Sequence, residues 1–342
     1  MHSQSVWVVL AASLWVGGSA SAQSAGSKAV AEFYRGKTVT VISPSDVGGS
    51  IYQYALLVSN HLGRHIPGNP TTIIQTRPGG GGVTAANYVS GPGAKDGTVV
   101  AELHPQSLLT PLTGEAATYD PRTFQWLGSL AVRTYVAAVW HTVSASSLEE
   151  MKDRDYIFGG SGVASASYQY PTFLAYLTGA RIKVLPGYKS GGETNLALER
   201  GEVHGRGNYY EGFLTTNPEW VSDRKVKFIF KLGPDHPDLA NVPSGWKYAK
   251  KPRDQQMLHV LEAPLSVGQA LYVAREVPKE RVAALRAAFQ KMVADPQFLA
   301  EANKMKLYIN PSAPAELEKV VAKVYETPKP LLAELEVLMT PK

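Results

Sequence analysis

The sequence predicts an α/β fold of two lobes with a ligand cleft between them. Three observations lead there. Strand-like and helical runs alternate along most of the chain, which implies largely parallel sheets covered by helices. Four times a strand enters a helix through a loop of glycine and serine. Two of these units lie early and two lie in the middle, so two lobes facing each other would gather all the loops at the carboxyl ends of the strands, where open α/β sheets bind ligands.

The 342-residue chain is long enough for two domains with substantial cores. Hydrophobic residues make up 44% and charged ones 18%, which excludes a disordered chain. The net charge of +5 suits attraction of small anions. Nucleic acid is not an expected partner, because the densest basic run, Lys250-Lys251-Pro252-Arg253, is short and reads as a solvated loop. The absence of cysteine removes disulfides, thiolate metal sites and cysteine nucleophiles.

The elements follow in order. Val6–Val16 is apolar, and Ala20-Ser21-Ala22 is a cleavage pattern, so residues 1–22 read as an export signal, although no Lys or Arg precedes the run. A buried segment or membrane anchor is the alternative. The apolar run is short for a span of about 20 residues. Val39, Val41 and Ile42 predict a strand, Pro44 to Gly49 a loop, and Ser50 with Gln53 a capping box opening a helix to Gly63. Thr71 to Thr76 is a second strand, followed by Gly79 to Gly82 and a helix over 83–89. Thr98 to Leu103 is a strand ending at His104. Trp126 to Trp140 holds one or two strands, and Leu148 to Lys152 a short helix. Tyr156 to Phe158 is the third unit's strand; its loop leads to a helix closed by Gly179, with Pro171 expected in the first turn. Ile182 to Leu185, the loop from Gly187 to Gly192 and a helix to Arg200 form the fourth unit. Lys225 to Lys231 and Gln269 to Arg275 read as strands, and 234–252 as loop. Helices are expected over 279–294, 313–325 and 330–338.

The chemistry these residues offer is binding. No G-x-S-x-G elbow, Walker A loop, G-x-G-x-x-G fingerprint or H-E-x-x-H helix is present, so no catalytic residue, metal ligand or cofactor site is expected. His61 and His65 are four apart, but surface histidines are the better reading than a metal pair. Glycine after a strand is often simple turn chemistry. Four such loops, each leaving free N–H groups at the positive end of a helix, point instead to anion capture. Tyr52 and Tyr188 stand out as tyrosines beside those loops, and His104 ends a strand at the same level. The rival is an exported hydrolase using Ser161 or Ser190, which requires a base such as His104 or His204.

Seven segments in fixed order resemble a known family: FYRGKTVTVIS-P-x-x-x-GGS, NPTTIIQTRPGGGG, AANYV…AKDGTVV, YDPRTFQWLGSL, FGGSGVASAS, GYKSGGETNLALERGEV and VPKERVAALRAAFQKMVADPQF. From Glu32 to Tyr325 the chain resembles the periplasmic solute receptors of the tripartite tricarboxylate transporters, the TctC or Bug family. The resemblance implies a type II periplasmic binding protein, lobe one at 33–133 plus 271–342 and lobe two at 134–270, closing by a hinge. It implies a small di-, tri- or aromatic carboxylate as ligand, transient contact with membrane permease subunits, a monomer, and no enzymatic activity. Presentation of the ligand to a sensor protein is a third possibility.

The ligand-binding set expected from the loops and the resemblance together is Ser45, Asp46, Val47, Gly48, Gly49, Ser50 and Tyr52 in the first loop, Pro78, Gly79, Gly80 and Gly81 in the second, and, from its place at a strand end, His104. From the second lobe come Ser161, Gly162 and Ser165, then Tyr188, Ser190 and Gly191, and Asn208, where the family places an Asp. Asp46 and Tyr52 depart from the family's first loop. They are expected to set this chain's ligand choice, Tyr52 by stacking and Asp46 by its charge.

Overall fold

The computed structural model describes residues 27–47, 50–113, 117–163, 165–188 and 191–340; the expected export signal lies outside them. Helix α1 (27–34) precedes β1 (Thr38–Ser43), whose Val39, Val41 and Ile42 are buried. Helix α2 (Ser50–His61), β2 (Thr71–Thr76), α3 (Val83–Ser90) and β3 (Val99–Glu102) follow. A short α4 (Thr110–Thr113) leads to β4 (Gln125–Ser129). Then come β5 (Tyr135–Trp140), β6 (Tyr156–Gly160), α5 (Ala166–Thr178), β7 (Ile182–Pro186), α6 (Gly191–Glu199) and β8 (Gly205–Tyr209). After α7 (Tyr210–Thr216), α8 (Pro218–Ser222) and β9 (Val226–Leu232), helix α9 (Pro252–Val267) leads into β10 (Ala270–Val273). The chain ends in α10 (Lys279–Val293), α11 (Pro296–Lys304), α12 (Pro314–Tyr325) and α13 (Lys329–Met339).

These strands form two five-stranded sheets of the same plan, β2-β1-β3-β10-β4 and β7-β6-β8-β5-β9. In each, three parallel strands stand beside one antiparallel strand, β10 in the first and β5 in the second. Four of the five strands in each sheet run the same way, as the sequence suggests, and the one reversed strand makes the sheets mixed. The inserted strand is in both cases the one that arrives from the other lobe. It enters at the cleft edge and so runs against strands that end there.

The two crossings, at 130–134 and 268–269, lie side by side. Leu130 N donates to Gln269 O at 3.0 Å, Gln269 N to Ala131 O at 2.9 Å, and Arg133 N to Leu265 O at 2.9 Å. Gly268 has φ +57°, and a Cβ there would come within 1.9 Å of Ala131 O, so glycine is required for the close approach. A third crossing joins α12 to α13. Leu317, Val321 and Val324 of α12 belong to the core of the first sheet, whereas Leu332, Leu335 and Met339 of α13 belong to that of the second. The last helix thus packs on lobe two, although the sequence reading assigned it to lobe one; its apolar stripe matches α5 and α9.

Other local expectations are revised. Leu148 to Lys152 is a run of turns, held by Glu150 accepting from Ser146 N at 2.8 Å. Pro171 lies beyond the first turn of α5, leaving the Ser167 carbonyl without its helical donor. Helices α9 and α11 were not expected; Pro252 begins α9 as a first-turn proline and does not end a loop. His61 is buried, with Nε2 2.7 Å from Glu301 Oε2, while His65 Nε2 lies 3.0 Å from Asp295 Oδ2. The two histidines bind carboxylates at and within α11 and do not face a common point.

Candidate functional site

A cavity of about 750 Å³ opens between the two sheets. Its volume falls in the range that holds a small-molecule ligand. The parallel strands of both sheets end toward it, and the loops that follow supply much of its wall. From the first lobe come Gly80 and Gly81, just before α3, and His104 after β3. From the second come Ser161 and Ser165 ahead of α5, Gly191 at the start of α6, and Asn208 near the end of β8. Three of the four glycine-serine loops therefore contribute to one cavity. The third and fourth place the first turn of a helix against it, with Ala166 and Ser167 of α5 and Gly191 and Thr194 of α6 on the wall, and the second stands just ahead of α3.

The local chemistry explains how these loops are held. Gly82 has φ +96°, and a Cβ there would come within 2.2 Å of His104 Cβ, so the glycine run lets the second loop lie flat on His104. The His104 ring accepts from Gln106 N at 3.3 Å. Burial, and then the Arg133 charge, push its pKa down to about 4, so the ring is neutral at physiological pH. In the third loop, Ser167 Oγ accepts from Ser161 N at 3.1 Å and lies 2.8 Å from Ser165 Oγ, which donates to Gly162 O at 2.6 Å. Asn208 Oδ1 accepts from Tyr209 N at 2.9 Å.

The remaining expected residues are placed elsewhere. Ser45 N donates to Ser43 Oγ at 3.3 Å, and Asp46 and Val47 are exposed; none of the three lines the cavity. Gly48, Gly49 and Ser190 lie outside the described residues, and Ser50 begins α2. Tyr52 is half-buried in the first turn of α2, off the cavity wall. Pro78 and Gly79 are exposed beside the wall, and Gly162 stands behind Ser165. Tyr188 packs toward β6: a Cβ on Gly159 would lie 3.2 Å from its ring. The first loop, in which ligand choice was expected to reside, is thus the one whose described residues do not reach the cavity.

Several wall residues were not expected. Arg206 and Tyr135 line the cavity, as do Ser167 and Gln169 of α5. Arg206 lies on β8 between Gly205 and Gly207, and this strand escaped notice because it has no apolar alternation. A lone arginine flanked by glycines between two strands was the available signal. An apolar side is built by Leu109 and Leu112 of the first lobe, Val260 and Leu261 of α9, and Leu332 and Leu335 of α13.

The Ser161 hydroxyl has Ser167 Oγ as its side-chain neighbour, at 3.4 Å. His204 precedes β8, at the end of the strand away from Asn208, and its Nδ1 accepts from Ile157 N at 2.9 Å. His104 shares the cavity with Ser161, but its Nδ1 is likewise taken by a backbone N–H. Among the described residues no three His, Cys, Asp or Glu side chains gather as a metal site, and no helix is long and apolar enough to cross a membrane.

No family model and no curated relative matches the chain. Solved structures do. A TctC solute-binding protein from Polaromonas superposes with TM-score 0.69 at 17% identity, covering 88% of this chain and 99% of that one. The periplasmic binding protein BugD gives 0.61 at 19% identity, with 89% and 99% covered. MatC from Rhodopseudomonas palustris, solved with malate, gives 0.60 at 19% identity, with 89% and 99% covered. The chain has the two-lobed α/β fold of a type II periplasmic binding protein, and the solved structures similar to it are solute-binding proteins of the TctC and Bug kind.

Proposed function

We propose that this chain is an exported, periplasmic solute-binding protein that captures a small carboxylate between its lobes, without turnover, and hands it to the permease subunits of a tripartite tricarboxylate transporter. The observation that carries this is the convergence of three glycine-serine loops, from both lobes, on one cavity. Backbone N–H groups at the starts of α3, α5 and α6 grip the carboxylate from opposite sides. A few charge-assisted hydrogen bonds of about 1.5–3 kcal/mol each suffice for micromolar affinity after ordering costs. The paired crossings at 130–134 and 268–269 act as the hinge, and ligand contact with both lobes favours the closed state. The malate bound by MatC, a protein of the same fold, supports the ligand class.

Calorimetry and thermal shift with malate, succinate, citrate, benzoate and octanoate test this reading. At least one acid is expected to bind saturably and to raise the melting temperature, with a smaller radius of gyration in solution scattering. Saturable binding by none of them overturns it.

A further inference from the structure

One charge in the cavity is unbalanced. Arg206 is only 5% exposed yet lines the cavity. Its Nη1 donates to Gly191 O at 2.7 Å and to Asn195 Oδ1, both neutral acceptors. Its Nε has no partner among the described residues. Among the described residues the ionisable neighbour that bears on its charge is Tyr135, and no carboxylate does. Buried guanidiniums ordinarily sit against a carboxylate, because lost hydration must be replaced by an opposite charge. Here Gly191 begins the nine-residue α6, so the positive end of a helix dipole adds to the charge. Tyr135 is 1% exposed, lines the same cavity, and its hydroxyl has no partner either. Among the described residues no anion stands beside this guanidinium.

The opposite need is set by the apolar side. Leu109, Leu112, Val260, Leu261, Leu332 and Leu335 face a space several times the volume of a four-carbon diacid. A small polar acid would leave the half-buried Leu109 and Leu112 against water, whereas a hydrocarbon body would cover them and the edges of the others. Glu336 stands on α13 beside these leucines and would repel a second carboxylate carried to that end.

We propose that Arg206 anchors the anion of an amphipathic monocarboxylate, whose medium-length aliphatic or aryl-alkyl body lies between α4, α9 and α13. This rests on the carboxylate-binding reading above and narrows its ligand class. Arg206 holds the charge from the second lobe, and the leucines of both lobes close on the hydrocarbon. Chain length then sets affinity and Arg206 sets the requirement for charge.

The test is calorimetry on the full mature chain with octanoate, octanamide, butyrate, malate and suberate, the eight-carbon diacid. Octanoate is expected to bind at least tenfold more tightly than octanamide, malate or suberate. Arg206→Gln should weaken octanoate at least tenfold, with Arg206→Lys intermediate, while the melting temperature of the ligand-free protein stays level or rises. Leu112→Gln, at a half-buried position of α4 on the cavity wall, should weaken octanoate tenfold and leave butyrate unchanged, which decides the matter even if the arginine variants fold poorly. Octanoate binding that is indifferent to Arg206→Gln and to Leu112→Gln overturns the inference. So does malate or suberate outcompeting octanoate, although the carboxylate reading then stands. Binding of no carboxylate overturns both.

Discussion

Two arginines are buried to nearly the same degree, Arg133 at 8% exposure and Arg206 at 5%, and their surroundings differ in kind. Arg133 lies on the crossing between the lobes. With the Gln269 amide turned to satisfy both neighbours, its oxygen accepts from Arg133 Nε at 2.9 Å and Nη2 at 2.6 Å, and its nitrogen donates to Glu102 Oε1. The guanidinium also lies 4.5 Å from the Tyr209 ring centroid and 5.8 Å from that of Tyr54. Among the described residues Arg206 has two neutral acceptors and a buried Nε without a partner, and its side chain lines the cavity. A buried cation whose partners come from the protein fixes structure. One on a cavity wall with no opposite charge beside it among the described residues is suited to an anion that arrives.

The comparison predicts its largest effect on stability. Arg133→Met strips the Gln269 oxygen of its donors and Glu102 of a neighbouring positive charge at the junction of the lobes, and is expected to cost about 3 kcal/mol. Arg206→Met removes a charge that the ligand-free protein only half satisfies, so the change should be within about 1 kcal/mol, or stabilising. Scanning calorimetry of the two ligand-free variants measures both. Equal losses would erase the distinction and make Arg206 a structural residue.

How much of this was legible beforehand follows from the same contrast. Strand–loop–helix units announce themselves locally, because apolar periodicity and glycine punctuation are properties of short windows. The four units and their loops could therefore be read in order, and three of those loops do meet. The direction of β5 and β10 could not be read, because it depends on which lobe the chain has just left. Nor could α13's place on the second lobe, since its stripe of Leu332, Leu335 and Met339 states that a face is buried but not against what. Arg206 stayed hidden because burial of a charged side chain is decided by tertiary packing and leaves no periodic trace. Asp46 and Tyr52 illustrate the converse: they stand out in the sequence and lie off this cavity's wall.

A middle-sized effect concerns Glu102, the acid on Arg133's side of the comparison. It is fully buried, its Oε2 has no partner among the described residues, and burial pushes its carboxyl well above the usual range despite the pull of Arg133. A folded-state pKa raised above the unfolded value contributes stability that is complete below about 4.3, the unfolded glutamate pKa, and is lost as pH rises through the folded value. Glu102→Gln keeps the shape without the titration. It should raise stability by about 1 kcal/mol at pH 8 and leave it unchanged at about pH 4. Parallel melting curves of variant and parent across that range would contradict the assignment. Arg206 offers no such acid among its described neighbours, so Arg206→Gln should show a flat difference between the same two pH values.

The smallest expected effect sharpens the contrast from outside the cavity. Asp46 is exposed in the loop after β1, off the cavity wall, so Asp46→Asn removes a charge that water already solvates. Substitutions of this kind usually change stability by less than about 0.5 kcal/mol. Its influence on a bound anion can only act through solvent, where the Debye length is about 8 Å at 0.15 M salt and about 30 Å at 0.01 M. Asp46→Asn should therefore tighten carboxylate binding slightly at low salt, by less than about threefold, and not at all at 0.15 M. The tenfold loss expected of Arg206→Gln should survive the added salt, because a buried charge is screened far less. An Asp46→Asn effect as large as that of Arg206→Gln, and equally resistant to salt, would move the site of ligand choice back to the first loop.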